Sequence, residues 1–194
     1  MSEAIAIMKV IHIVTAILMA WPVYALVAVN QRVRLGPPLG DRTDTYMENI
    51  IKNRTIPCFV FQGTALVSGL ALIAFRGQGL DDLIANPILG LKFVLLLLII
   101  GLLTYVHFTI QPQIDKLLDQ PDLPIEGEPA SEIGSLRGRR KRIASICMFV
   151  VLTTAMLGVQ VYSVFPLGLT LVLLALIALF TWRTYTTQMP YGWV

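Results

Sequence analysis

The sequence predicts an all-α, polytopic membrane bundle of about five transmembrane helices, in a single domain over residues 1–194. Three observations predict it. Residues 4–29, 88–110 and 167–181 are long apolar runs, on the scale of the roughly 20 residues that cross a bilayer core. Hydrophobic residues make up 56% of the chain and charged ones only 14%, against about 25% charged in soluble domains; mean hydropathy is +0.72. Finally, Lys and Arg crowd into alternate connections, the pattern of a chain that crosses a membrane repeatedly.

The first span covers about residues 4–30, kinked or thinned near Pro22. It is longer than the apolar core of a signal peptide and is interrupted by Lys9 and His12, so it reads as a span and not as a cleaved leader. The second, about 56–75, is bounded by Arg54 and Arg76. The third, about 87–111, opens on Pro87, a favoured first-turn residue, and is expected to close before Pro112. The fourth covers about 143–163 and the fifth about 166–183, after a short turn through Val164 and Phe165.

The first connection carries Arg32, Arg34, Arg42, Lys52 and Arg54; residues 112–142 carry Lys116, Arg137, Arg139, Arg140, Lys141 and Arg142; Arg183 follows the last span. The connection between the second and third spans has only Arg76 at its edge, and the one before the fifth span has none. This asymmetry predicts a cytoplasmic (inner) membrane protein with its N-terminus out, its C-terminus in, and a cytoplasmic loop over 112–142. The first half of that loop is acidic and proline-rich and is expected to be extended and mobile. The second half, RGRRKR, reads as a positive-inside anchor or as a site for anionic lipid or an acidic partner. Because the basic residues sit beside spans, the net charge of +3 gives no reason to expect nucleic acid. Trp182, Tyr185, Tyr191 and Trp193 form an interfacial aromatic set or a strip for docking a neighbouring subunit. Cys58 and Cys147 lack the spacing of a metal or redox motif and read as packing residues.

Ionisable groups inside the spans are costly in hydrocarbon and are functional candidates by default. Along antiparallel spans at about 1.5 Å per residue, Lys9, His12, Lys92 and Gln160 fall at one depth in the outer third. Lys9 reads as a cation that snorkels to the interface, and Lys92 as another or as a functional group. His12 is too deep and short to snorkel and reads as a ligand or proton-handling residue. His107 lies about 18 Å further in, with Gln62, Tyr105 and Arg54 expected near its level, and reads as a structural hydrogen-bonder. One iron therefore cannot use both histidines. Gly63, Gly69, Gly90 and Gly101 are expected where helices approach closely, and Ala16, Ala20 and Ala155 could leave room for a macrocycle. With no Asp or Glu in a span, carboxylate-based proton-coupled transport is not expected.

The stretches MKVIHIVTAILMAW, RTIPCFVFQGTALVSGLALI and LGLKFVLLLLIIGLLTYVHF resemble the first three spans of a superfamily containing HemJ-type protoporphyrinogen oxidases, CopD-type copper-resistance proteins and related integral-membrane proteins. The resemblance covers roughly residues 9–118. It implies a b-type haem on the first-span histidine, here His12, and a functional third-span lysine, here Lys92. The expected site is thus Lys92 as the catalytic group, His12 as haem and metal ligand, and Gln160 as a further cofactor contact. Three function classes follow: a haem-binding membrane oxidoreductase of the protoporphyrinogen oxidase type, a non-catalytic subunit of a respiratory or photosynthetic complex, and a metal-related membrane protein. Scattered methionines make copper the weakest of the three. Expected partners are the lipid bilayer and either further copies of the chain or a larger membrane complex.

Overall fold

A computed structural model of the chain describes residues 2–21, 25, 29, 38–77, 79, 81–119 and 125–186. Among these residues every regular element is helical. Helix α1 spans Ser2–Leu18, and residues 21, 25 and 29 are helical as well; the expected kink at Pro22 lies outside the described residues. Helix α2, Arg42–Lys52, forms inside what the sequence presents as a connection. Asp41 caps it, its Oδ1 accepting from the Asp44 N–H at 2.6 Å, which satisfies one of the orphan donors of a first turn. Helix α3, Thr55–Phe75, follows at the expected place. A single turn, α4 (Asp82–Ala85), precedes α5 (Pro87–Tyr105). Asn86 caps α5, accepting from the N–H groups of Ile88 and Leu89 at 3.0 and 3.3 Å.

The third span does not close before Pro112. It continues through a π-helical turn, Val106–Ile110, into α6, Gln111–Leu118. The wider turn resets the register so that Pro112 falls in the first turn of α6, where its missing N–H costs little. Helix α7, Glu128–Gln160, has 33 residues and is therefore about 50 Å long, well beyond the roughly 30 Å of hydrocarbon. The loop expected over 112–142 is thus largely helical: residues 112–118 belong to α6 and residues 128–142 to α7. Helix α8, Leu167–Thr186, is the last described element. Four of the described helical stretches are long and apolar enough to cross a membrane: Arg42–Phe75, Pro87–Leu118, Glu128–Gln160 and Leu167–Thr186. With α1 beside them they form a polytopic bundle, its polar connections and cap at the ends and apolar side chains on the outside.

Helix α1 packs on α3, α5 on α7, and α8 on the outer side of α7, while α3 meets α5. Met19, Ala65, Leu96, Ile99, Val150 and Val151 form the buried centre. At the end where α3 begins, α2, α6 and the polar part of α7 close into a cap. Arg140 is only 1% exposed and Glu48 2%. The Arg140 guanidinium donates to both Glu48 carboxylate oxygens, and its Nη1 also reaches Gln111 Oε1 at 2.7 Å. Arg137 grips Asp44 through two bonds of 3.1 and 2.8 Å, the paired geometry in which guanidinium binds carboxylate best. Lys52 bridges to Asp115 at 2.8 Å. Of the RGRRKR run, Arg140 is buried and Arg137 half-buried in these pairs, whereas Arg139 and Arg142 stay exposed; Arg139 lies over the Tyr105 ring and Lys141 over the Tyr185 ring.

Burial alone would raise the Glu48 carboxyl, but the hydrogen bond and charge of Arg140, the charge of Arg137 and the Gln111 amide outweigh it and hold it at about 2. Its contribution to stability is present above its free value of 4.5 and is lost as pH falls toward 2. The cap should remain closed at pH 4 and loosen only near pH 2, which limited proteolysis at the α2–α3 junction across that range would register; opening at pH 5 would contradict it.

Candidate functional site

A cavity of about 700 Å³ opens between the α1–α3 pair and the α5–α7 pair, at the end of the bundle opposite the cap. Its walls are mainly apolar, and Ala16, Ala20 and Ala155 are among them. This volume is within the range of small-molecule and cofactor pockets. His12 and Lys92 both line it, so the structure brings together the two residues placed at one depth by counting along the spans. Lys9 is at its rim.

His12 is held by α3. Its Nδ1 lies 3.0 Å from Ser68 Oγ. The Ser68 hydroxyl is itself 2.6 Å from the Thr64 carbonyl, an acceptor only, so its hydrogen points there and its oxygen accepts from His12. This order of donors puts the neutral ring's proton on Nδ1 and leaves Nε2 the lone pair. An imidazole oriented through one nitrogen by an outer partner is the usual arrangement of a metal-ligating histidine. The ring also sits against Gly69: a Cβ there would lie 3.3 Å from His12 Cε1. Lys92 has a corresponding seat, since a Cβ at Gly158 would lie 3.4 Å from its Nζ. Gly69→Val should push the imidazole off Ser68, and Gly158→Val should displace the lysine. Both shifts are measurable as altered histidine and lysine NMR signals with the helical content unchanged.

Gln160 is at the expected depth but not in the cavity wall. It is 6% exposed and its amide donates to Thr170 Oγ1 on α8 at 3.1 Å, so it ties α7 to α8. His107 is elsewhere, as expected, with Gln62 roughly 10 Å further along α3 than its partner Thr55. Its Nδ1 lies 3.0 Å from Thr55 Oγ1, its ring meets Phe59 and Phe108 edge-on, and Gln62 donates to Cys58 Sγ. The histidines thus attach to Ser68 and Thr55, roughly 20 Å apart along α3. Of the glycines expected at close approaches, Gly69 and Gly90 are at such places, Gly90 because a Cβ would collide with the Leu83 carbonyl; Gly63 and Gly101 have open space beside them.

Counting along the spans missed Ser68, Arg76, Gly158 and Tyr162. Arg76 reads from the sequence only as a span boundary, yet it lines the cavity, and its Nη2 donates to Tyr162 OH at 2.6 Å. The available signal was position: both residues end spans on the side where Lys9 and Lys92 begin theirs. No group of three or more His, Cys, Asp or Glu that could hold a metal ion occurs among the described residues; any metal here would take His12 as its one such ligand. No known protein family, curated protein or solved structure matches this chain.

Proposed function

We propose that this protein binds a b-type haem or a closely related tetrapyrrole in the lateral cavity and acts in membrane redox chemistry, with His12 as the axial ligand and Lys92 as the proton-handling residue. The observation that carries the reading is His12 itself: an intramembrane imidazole, fixed through Nδ1 by Ser68, in the wall of a cavity of about 700 Å³. The remaining wall fits the same group. Alanines and aliphatic side chains suit a flat apolar ring, and cations at one end suit acidic substituents. When bound, such a group supplies one-electron chemistry. The chain's own part is to present His12 Nε2, to exclude water with apolar walls, and to hold a proton at Lys92 Nζ where it can pass to or from a ligand in the cavity. Porphyrinogen oxidation would need that transfer as well as the electron step.

The capped end, with Arg42, Lys52, Lys116 and the Arg137–Arg142 run, belongs in the cytoplasm in this reading, and the cavity lies toward the outer leaflet. A cysteine in place of Ser131, exposed on α7, should resist membrane-impermeant labelling in intact cells and react after lysis. Labelling from outside would reverse the orientation.

The test of the function is absorbance. The purified protein, titrated with haem b in detergent, should develop a Soret band at one haem per chain. The absence of any saturable band would overturn the reading and favour a non-catalytic membrane subunit. Lys92→Met should keep the band and lose proton-coupled turnover.

A further inference from the structure

One end of the cavity gathers positive charge that neither His12 ligation nor a proton at Lys92 requires. Lys9, Arg76 and Lys92 all line it, and none of the lining residues is Asp or Glu. Among the described residues none of the three forms an ion pair. Two of them converge on a single ring: Lys9 Nζ lies 5.4 Å and Arg76 Cζ 5.0 Å from the Tyr162 centroid, while Arg76 also donates to the Tyr162 hydroxyl. Lys92 is near enough to interact electrostatically with both Arg76 and His12. Cation–π contact offsets only about 0.5–2 kcal/mol of the cost of such crowding. Arg76 is exposed and Lys9 and Lys92 are half-buried, so water screens them in part, but the lining residues offer no opposite charge, and an acidic group reaching this end would find charge-assisted hydrogen bonds.

The placement also gives a direction. Lys9 is three residues before His12 on α1, so the charged end sits about 4.5 Å nearer the end of the bundle than the imidazole. A ligand held at His12 would therefore meet apolar wall on one side and cations on the other. That is the pattern for a flat amphipathic molecule whose acidic groups share one edge.

We propose that Arg76, Lys9 and Tyr162, with Lys92 behind them, form a carboxylate clamp that fixes the acidic edge of the tetrapyrrole at the polar end of the cavity. The inference rests on the tetrapyrrole reading and deepens it by assigning the orientation of the ligand and the residues that set it. Arg76 supplies a planar fork for a carboxylate, Tyr162 holds that fork in place, and Lys9 brings a second charge to the same ring. The clamp selects free acids over neutral side chains, because an ester would leave the cations unpaired.

The experiment compares haem b with its dimethyl ester, each titrated into the full-length protein in detergent and read from the Soret band. The unmodified protein should bind the free acid at least tenfold more tightly than the ester. In the double variant Arg76→Gln/Lys9→Gln that preference should fall to about unity, while the position of the Soret maximum, set by His12, stays unchanged. Arg76→Lys should restore part of it. Equal affinity for acid and ester in the unmodified protein, with the band intact, would overturn the clamp and leave the tetrapyrrole reading standing; no binding of either would overturn both. An acidic phospholipid that copurifies with the protein and is released by Arg76→Gln, without any acid–ester difference, would put a lipid headgroup at these residues and overturn the assignment.

Discussion

Glu48→Ala is expected to destabilise the protein by roughly 3–5 kcal/mol, the usual cost of removing one partner from a buried ion pair. The reason lies in what it leaves behind. Arg140 is 1% exposed and would keep only Gln111 as a hydrogen-bond acceptor. Arg137 is affected less, because Asp44 still holds both of its terminal nitrogens. Denaturant unfolding in detergent, followed by loss of helical signal and by protease access to residues 42–54, measures the effect. The paired variant Glu48→Leu/Arg140→Met should recover most of the loss, since apolar residues of similar volume replace a buried pair at little cost. A single-variant loss below about 1 kcal/mol would mean that the cluster does not hold α2 on the bundle.

His12→Ala should abolish the Soret band obtained with haem b, and His107→Ala should leave most of it. The two rings are tied to opposite ends of α3, roughly 20 Å apart, too far to share an iron. Ser68→Ala provides the graded control. It keeps the ligand but removes the group that orients it, and outer-partner losses of this kind typically cost about 10–100-fold in metal affinity. Loss of the band in the His107 variant as well would require the helices to slide past each other by several turns, against the Ser68 and Thr55 contacts. A band that survives His12→Ala would remove His12 from the site altogether.

Several features are legible in the order of residues alone. The apolar pattern marks α3 almost to the residue, and the starts of α5 and α8 within one, because nothing but a helix satisfies its own backbone in lipid. Depth is legible too: helices that cross in alternation convert residue number into level, which is why Lys9, His12 and Lys92 meet at one cavity. The cap is not. Asp44 and Glu48 on α2, and Arg137 and Arg140 on α7, look like separate loop charges in the chain, and their pairing across more than ninety positions depends on α7 continuing as helix well before its apolar segment begins. Pro112 misleads for a local reason. A proline ends a helix only when the register leaves its missing N–H inside a regular turn, and the π-helical turn at Val106–Ile110 moves it to a place where that does not matter.

The sequence by itself determined the environment, the helical class, the order of the spans and the level of each ionisable group, since all of these follow from hydrophobicity and the fixed rise of a helix. Tertiary structure decided which way each group faces. Gln160 and Lys92 fall at one depth, yet Gln160 turns to Thr170 and Lys92 to the cavity. His12 finds its seat because Ser68 and Gly69 happen to present themselves to it. In a soluble helix the polar face would have announced such directions. A span such as α5 is apolar all round, because lipid and protein interior reward the same side chains. Its rotation about its own axis therefore leaves almost no trace in the pattern, and only packing against α3 and α7 sets it.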